Sequence, residues 1–333
     1  MTASGTHTDD PVTVALVGYG HAAQAHVDAL HRMPDVRIVG VCEISQDKAE
    51  QAGLTLGVPG YFDLEGMLDK VRPDAVVVCT STEDHVDSGL RSLARLCHVF
   101  IETPPTQRLA EATILEERAG GAERVVMYGY HGPVMLGDVR RHVEALGKIH
   151  RVSAHWLRSP VAAPLSDVIR QPAALDPPLL DLSHPLGTAM WLTNLWELSS
   201  VASRLTRHGS PCDPEQHDAV EALIGFGDTV LHLRVATWGH FGSDEQVGMV
   251  VEGAKGTLVI PYPTVRTSEA QPVLLRHGSR TPVEAVVLSE RRARARQMAT
   301  FIDVVRGQTS PPIDHVRGRQ IMAVLEAVQL AAQ

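Results

Sequence analysis

The chain has 333 residues, long enough for two domains of ordinary size, since about 100–200 residues per domain is usual. Hydrophobic residues make up 44% and charged residues 21%, the balance of a soluble globular protein with ample core material. The formal net charge of −9 argues against a binder of nucleic-acid phosphates, which shows a basic face.

From Met1 to Asp10 the sequence is polar, without an apolar signal core, and no apolar run reaches ~18 residues. A cytoplasmic protein with no membrane contact is expected. Val12 to Val17 reads as a strand ending in Gly18-Tyr19-Gly20, and His21 to Leu30 has helical composition. Arg37 to Val41 reads as a second strand, closed by Cys42-Glu43. Helices are predicted at Asp47 to Ala52 and Leu64 to Val71, a buried strand at Ala75 to Cys79, and a helix from Asp84 to Leu96. A strand at His98 to Ile101, a helix at Leu109 to Ala119 and a strand at Arg124 to Tyr128 follow. Strands alternating with helices imply βαβ units and a parallel sheet.

Beyond Tyr130 the rhythm changes. Val139 to Leu146 looks helical, and Ile149 to Leu157 alternates like a strand. A proline-rich stretch from Arg158 to Pro178 precedes a helix predicted from Ser183 to Trp196. Ala219 to Phe226, Thr229 to Trp238, Gln246 to Val251 and Gly256 to Ile260 read as antiparallel strands. Helices at Glu290 to Arg306 and His315 to Ala332 close the chain. This order suggests an α+β second domain with one sheet face open. The basic run Arg291-Arg292-Ala293-Arg294-Ala295-Arg296 reads as the solvated face of its helix, with an anion or partner site as the alternative. Cys42, Cys79, Cys97 and Cys212 lack zinc-ligand spacing and read as reduced thiols, mostly buried. The 17 histidines are scattered, so no metal site is expected.

Gly18-Tyr19-Gly20-His21-Ala22-Ala23 fits G-x-G-x-x-G/A in the required place, after a strand and opening a helix. The glycines allow a tight turn and let backbone N–H groups approach a pyrophosphate at the helix N-terminus. Glu43 follows 20 residues after Ala23, at the end of the second strand. A carboxylate there accepts hydrogen bonds from ribose hydroxyls and repels a 2′-phosphate. Ile44 and Ser45 offer no arginine to hold such a phosphate, so NAD is the expected cofactor.

With these motifs in place the sequence resembles the Gfo/Idh/MocA family, the relatives of glucose–fructose oxidoreductase and inositol dehydrogenase. The linked signatures are Gly18-x-Gly20-x-x-Ala23-x-x-His26, Cys79-Thr80-Ser81-x-x-x-His85, Glu102-Thr103-Pro104, Gly129-Tyr130, Asp181-x-x-His184 and Gly253-x-x-Gly256-Thr257-Leu258. They span nearly the whole chain. The resemblance implies an NAD-binding Rossmann domain over 11–129. It also implies an α+β domain over 130–333 that binds a small-molecule substrate and forms a homodimer or homotetramer through its open sheet. It assigns Thr80, Ser81, His85 and Glu102 to the cofactor side and Tyr130 to the substrate side.

The departures carry as much information. Family members usually have Glu-Lys-Pro where this chain reads Glu102-Thr103-Pro104. An ammonium there can move a proton, whereas a threonine hydroxyl can only hydrogen-bond at neutral pH. Ser81 replaces a usual proline, His131-Gly132 replaces Asn-Arg, and Gly187 replaces an aspartate. Asp181 and His184 are the best surviving acid–base pair. Pro185 suits a first helical turn and Ser183 an N-cap, so both groups are expected at a helix N-terminus, whose dipole disfavours an imidazolium. The bland alternative is that they only cap and pack that helix. His131 is either a replacement proton relay or a loop histidine, and His85 reads more readily as structural. Arg158 or Arg170 would meet a substrate carboxylate if either leaves solvent. One of His155 and Trp156 should face the cleft. Three functions stay open: an NAD(H)-dependent oxidoreductase reducing an imine or activated carbonyl; a non-redox enzyme of elimination, isomerisation or cyclisation; and a non-catalytic nucleotide- and ligand-binding regulator.

Overall fold

The computed structural model describes residues 10–122, 124–157, 175, 177–207, 217–236, 246–262 and 269–333. The apolar run of β1 (Val12–Val17) is buried almost throughout, as the centre of a parallel sheet requires. β2 (Val36–Cys42) and β3 (Gly60–Tyr61) lie on one side of it. β4 (Ala75–Val78), β5 (His98–Ile101) and β6 (Val126–Tyr128) lie on the other. The order is β3-β2-β1-β4-β5-β6, and every pairing is parallel. The order reverses direction between β1 and β4, the place where open α/β sheets bind ligands beyond their carboxyl ends.

The crossovers are α1 (His21–Leu30), α2 (Gln46–Leu56), α3 (Leu64–Val71), α4 (Thr82–Ala94) and α5 (Leu109–Gly120). α3 starts where the Asp63 carboxylate accepts the Glu65 and Gly66 amides. Sequence reading missed β3, whose two residues are too few to carry a period.

After β6 the chain forms a short helix, α6 (Gly132–Met135), then a 3-10 turn at Gly137–Val139 and α7 (Arg140–Glu144). The helix predicted at Val139 to Leu146 is therefore shorter and is preceded by a second one. β7 (Ile149–Leu157) enters an eight-stranded sheet of order β15-β14-β12-β11-β7-β10-β9-β8. Its other members are β8 (Ser200–Thr206), β9 (Ala219–Phe226), β10 (Thr229–Ala236), β11 (Gln246–Gly253), β12 (Gly256–Pro261), β14 (Val273–Arg276) and β15 (Ser279–Pro282). Pairing is antiparallel except between β7 and β10, which run parallel at the middle of the sheet. β13 (Glu269–Ala270) and β16 (Val287–Leu288) form a separate two-stranded ladder.

α8 (Pro177–Thr193) and α10 (His315–Ala331) cover one face of this sheet. On β7 the alternation places Val152, Ala154 and Trp156 inward while Arg151 and His155 stay exposed. The opposite face carries partly exposed Leu223 and Val230.

α9 (Glu290–Val305) packs on α1, far back in the sequence. Its Met298, Phe301, Ile302 and Val304 complete the core formed by Val14, Leu16, Val27 and Phe100. The chain then pairs with the edge of β6: Tyr128 donates its amide to the Ile313 carbonyl at 3.0 Å, beside a bridge between Met127 and Asp314.

Candidate active site

Gly18 has φ +84°, and a Cβ there would lie 2.7 Å from the Cys79 carbonyl oxygen. Only glycine lets the turn after β1 pass so close to the end of β4. Gly20 caps α1 with no side-chain hydrogen bond, and a Cβ at Gly20 would meet nothing within 4 Å. The first turn of α1 carries no acidic residue. The amides of His21 and Ala22 thus open α1 toward free space, a setting that fits a nucleotide pyrophosphate. Glu43 stands at the end of β2 against this turn. Its Oε1 accepts the Tyr19 amide at 2.6 Å and its Oε2 the Ile44 amide at 3.0 Å. Ile44 and Ser45, next to it, are exposed and carry no positive charge.

Thr80 and Ser81 lie in the β4–α4 link. Thr80 Oγ1 donates to the Ser81 carbonyl at 3.2 Å, and Ser81 Oγ donates to Asp84 at 2.9 Å. His85 is buried with one ring nitrogen 3.1 Å from the Pro104 carbonyl and the other 3.1 Å from that of Thr80. It ties this link to the one after β5. Burial holds its imidazole below the ordinary histidine range, against the opposing pull of those carbonyls.

At the end of β5 the Glu102 carboxylate is held from three sides. His26 Nε2 lies 2.5 Å from Oε1, and the Thr103 amide donates to Oε2 at 2.9 Å. A Cβ on Gly129 would lie 2.7 Å from Oε2, so glycine at that position leaves the carboxylate its room. Burial works to raise this carboxyl, but hydrogen bonding and charge from His26, with the charge of Arg294 and the Thr103 amide, hold it at about 2. His26 itself has no exposed surface and packs edge-on against Phe100 at 5.1 Å.

Thr103 reaches across to the second domain, where its Oγ1 lies 3.1 Å from His184 Nε2. The His131 ring sits 4.7 Å from that of His184, Tyr130 meets it edge-on at 6.0 Å, and Trp156 lies nearly parallel to it at 6.5 Å. Tyr262 abuts Trp156 at 5.9 Å. Among the described residues, the buried Tyr130 and Tyr262 hydroxyls have no hydrogen-bond partner. Burial pushes both phenols above their ordinary range.

The expected helix start is corrected here. α8 begins at Pro177, two turns before Ser183, and contains Pro185 in its interior. Ser183 caps nothing; its Oγ donates back to the Leu180 carbonyl at 2.6 Å. Asp181 and His184 therefore sit in mid-helix, three residues apart on one face. The dipole argument for His184 lapses. The sequence reading treated Pro185 as a boundary, whereas neighbouring packing buries this helix and outweighs the missing amide.

Two glycines explain the local packing. A Cβ on Gly187 would lie 2.9 Å from the Tyr130 ring, and one on Gly132 would lie 1.8 Å from Thr188 Oγ1. Glycine at 132 lets α6 touch α8 one turn beyond His184 and brings His131 to that ring. Trp156 is the cleft-facing member of its pair, and it shares the parity of Val152 and Ala154. Tyr262 and Arg294 carried no sequence signal for the site; His26 did, inside its glycine signature. The candidates Arg158 and Arg170, and Cys212, lie outside the described residues. Among the described residues no group of three or more His, Cys, Asp or Glu side chains is arranged to hold a metal ion. No described helix is long and apolar enough to cross a membrane.

Residues 12–130 match the model of the oxidoreductase family with an NAD-binding Rossmann fold, Gfo/Idh/MocA. The chain is 27% identical over 201 residues to D-glucoside 3-dehydrogenase of Escherichia coli K12, covering 58% of this chain and 57% of that protein. It is 23% identical over 270 residues to the NAD(+)-dependent scyllo-inositol 2-dehydrogenase of Bacillus subtilis 168, covering 78% of each. The chain spans just over half the length of the first of these and about a third of several other relatives. Levoglucosan dehydrogenase, solved with NADH and levoglucosan, superposes with a TM-score of 0.83 at 18% identity over 97% of both chains. That likeness extends the shared fold to both sheets. The likeness to the Gfo/Idh/MocA oxidoreductase family is thus carried by residues 12–130, which match its NAD-binding Rossmann domain.

Proposed function

We propose that the protein is an NAD(H)-dependent oxidoreductase of a small metabolite, with His184 as its acid–base group. The observation that carries this reading is the 3.1 Å approach of Thr103 Oγ1 to His184 Nε2, with the His131 ring tilted against the same ring at 4.7 Å. Bound NAD(H) supplies or takes up hydride. The net proton then belongs to a histidine, because imidazole exchanges protons near neutral pH and a threonine hydroxyl does not. Thr103 stands where the resemblance leads one to expect a lysine, and it orients the His184 ring. Asp181 shares its helix face, and His131 serves as the second proton carrier. Glu43 reads the ribose hydroxyls and disfavours NADPH. Gly18, Tyr19, Gly20, His21 and Ala22 hold the pyrophosphate, and Thr80, Ser81, His85 and Glu102 shape the nicotinamide side. A weak acid of this kind suits an imine or activated carbonyl, which needs protonation as hydride arrives.

A second reading, oxidation of a ring alcohol with His184 as base, draws support from the sugar and inositol relatives and from the broad Trp156 face beside His184. Assembly into a homodimer or homotetramer through the open face of the second sheet fits the exposure of Leu223 and Val230.

The test follows nucleotide absorbance in both directions, NADH with carbonyl and imine acceptors and NAD⁺ with cyclic polyols and glycosides. Oxidation of NADH alone supports the first reading, and reduction of NAD⁺ alone the second. Tight nucleotide binding with no turnover either way overturns both and leaves a non-redox or regulatory role.

A further inference from the structure

A carboxylate that is 84% covered is costly to keep ionised unless its oxygens are filled by donors and a compensating charge lies near. Glu102 meets both conditions, and the partners that meet them come from far apart in the chain. His26 comes from the middle of α1. Arg294 comes from α9, in a basic run whose other arginines, Arg291, Arg292 and Arg296, are exposed. Arg294 is half-buried, and its positive charge helps keep Glu102 ionised. α9 reaches this place because it packs on both α1 and α6.

From His26 a continuous line of polar contacts crosses the domain border. His26 Nε2 meets Glu102 Oε1 at 2.5 Å, Glu102 Oε2 accepts the Thr103 amide at 2.9 Å, and Thr103 Oγ1 meets His184 Nε2 at 3.1 Å. Gly129 closes the far side of the same carboxylate. A carboxylate fixed at both oxygens fixes the amide that it accepts, and with it the direction of the adjacent threonine side chain.

We propose that His26 is a positioning residue that locks the Glu102 carboxylate and, through the Thr103 amide, sets the Thr103 hydroxyl against His184. The inference rests on the reading of Thr103 and His184 as the acid–base pair. It also separates His26 from ordinary core filling. If His26 merely packs against Phe100, leucine should replace it. If its Nε2–H is what matters, glutamine should serve, since its amide nitrogen reaches a similar place.

The experiment uses the full chain with ¹³C-labelled histidine and records the ring resonances of His26→Leu and His26→Gln. The Leu variant is expected to move the His184 resonance, and the Gln variant to return it toward the parent position. Exposed His277 should stay unchanged throughout. A folded His26→Leu protein with an unmoved His184 resonance overturns the proposal. If His26→Leu fails to fold, Glu102→Ala decides in the same way by removing the acceptor of the Thr103 amide: a moved His184 resonance supports positioning, and an unmoved one refutes it. This readout needs no substrate, so absence of turnover would refute the proposed reaction and leave the positioning question answered. With a substrate in hand, kcat is expected to fall about 10- to 100-fold in the Leu variant, the scale of a misplaced reacting group.

Discussion

Gly132→Ala sets two opposing effects against each other, and the structure says which prevails. Gly132 opens α6 with an ordinary negative φ. At such a position alanine removes unfolded-state freedom and adds about 0.4–1 kcal/mol of stability. Against this, the new Cβ would lie 1.8 Å from Thr188 Oγ1, 2.7 Å from its Cβ and 2.8 Å from its Cγ2. All three side-chain atoms collide, so rotating the threonine exchanges one clash for another. Thr188 is also buried and donates to the His184 carbonyl at 2.7 Å. α6 must therefore move off α8, at an overpacking cost of about 1–3 kcal/mol. The net expectation is a loss of about 1–2 kcal/mol. Urea unfolding followed by tryptophan fluorescence measures it. Thr188→Gly, made alone and with Gly132→Ala, should show a favourable coupling of about 1 kcal/mol or more. The reasoning fails if Gly132→Ala is as stable as the parent, or if the cycle shows no coupling. Because His131 precedes α6, the same shift should carry its ring away from His184 and lower turnover.

Glu43→Ala should weaken NADH binding by about 10- to 100-fold in calorimetric titration, the worth of a hydrogen bond to a charged group, and narrow the gap to NADPH. His184→Ala should reduce turnover by about 10²-fold or more, and an unchanged rate would remove it from the chemistry. Thr103→Lys should confer alcohol oxidation if the threonine marks the divergence from relatives, read as NAD⁺ reduction by a polyol that the parent ignores. Two acid windows should separate in a pH series of unfolding free energies. His85 is held below its ordinary 6.5 by burial, so the unfolded chain takes up that proton first and stability falls as pH drops below about 6.5; His85→Gln should flatten this slope. Glu102, held at about 2 against an ordinary 4.5, stabilises the fold above about 4.5 and loses that contribution as pH falls through about 2; Glu102→Gln should flatten that limb.

The first half of the chain was legible because each element announces itself locally. The Val12–Val17 run, the glycine turn and the 8-residue α3 opened by Asp63 all have their reasons within a few residues. α8 was misread because Pro185 is a strong local signal, and only tertiary packing shows that the helix continues on both sides of it. β8 escaped notice because it is an edge strand whose alternation, with Val201, Ser203 and Leu205 half-buried, is diluted by polar Ser203 on the inward side and apolar Ala202 on the exposed side. The Asp181–His184 spacing and the threonine after Glu102 could be read from sequence, but their convergence could not. That contact joins residues 81 positions apart and depends on Gly132 and Gly187 having no side chain.

The return of α9 to the first sheet has a practical meaning for protein engineering. A fragment ending near residue 130 would leave Leu16, Val27 and Phe100 facing water where Met298, Phe301 and Ile302 now cover them. Chimeras that exchange nucleotide-binding halves between relatives would inherit the same gap unless residues 290–305 travel with the graft. The unit of inheritance for cofactor preference is thus discontinuous: one long N-terminal piece and one late helix.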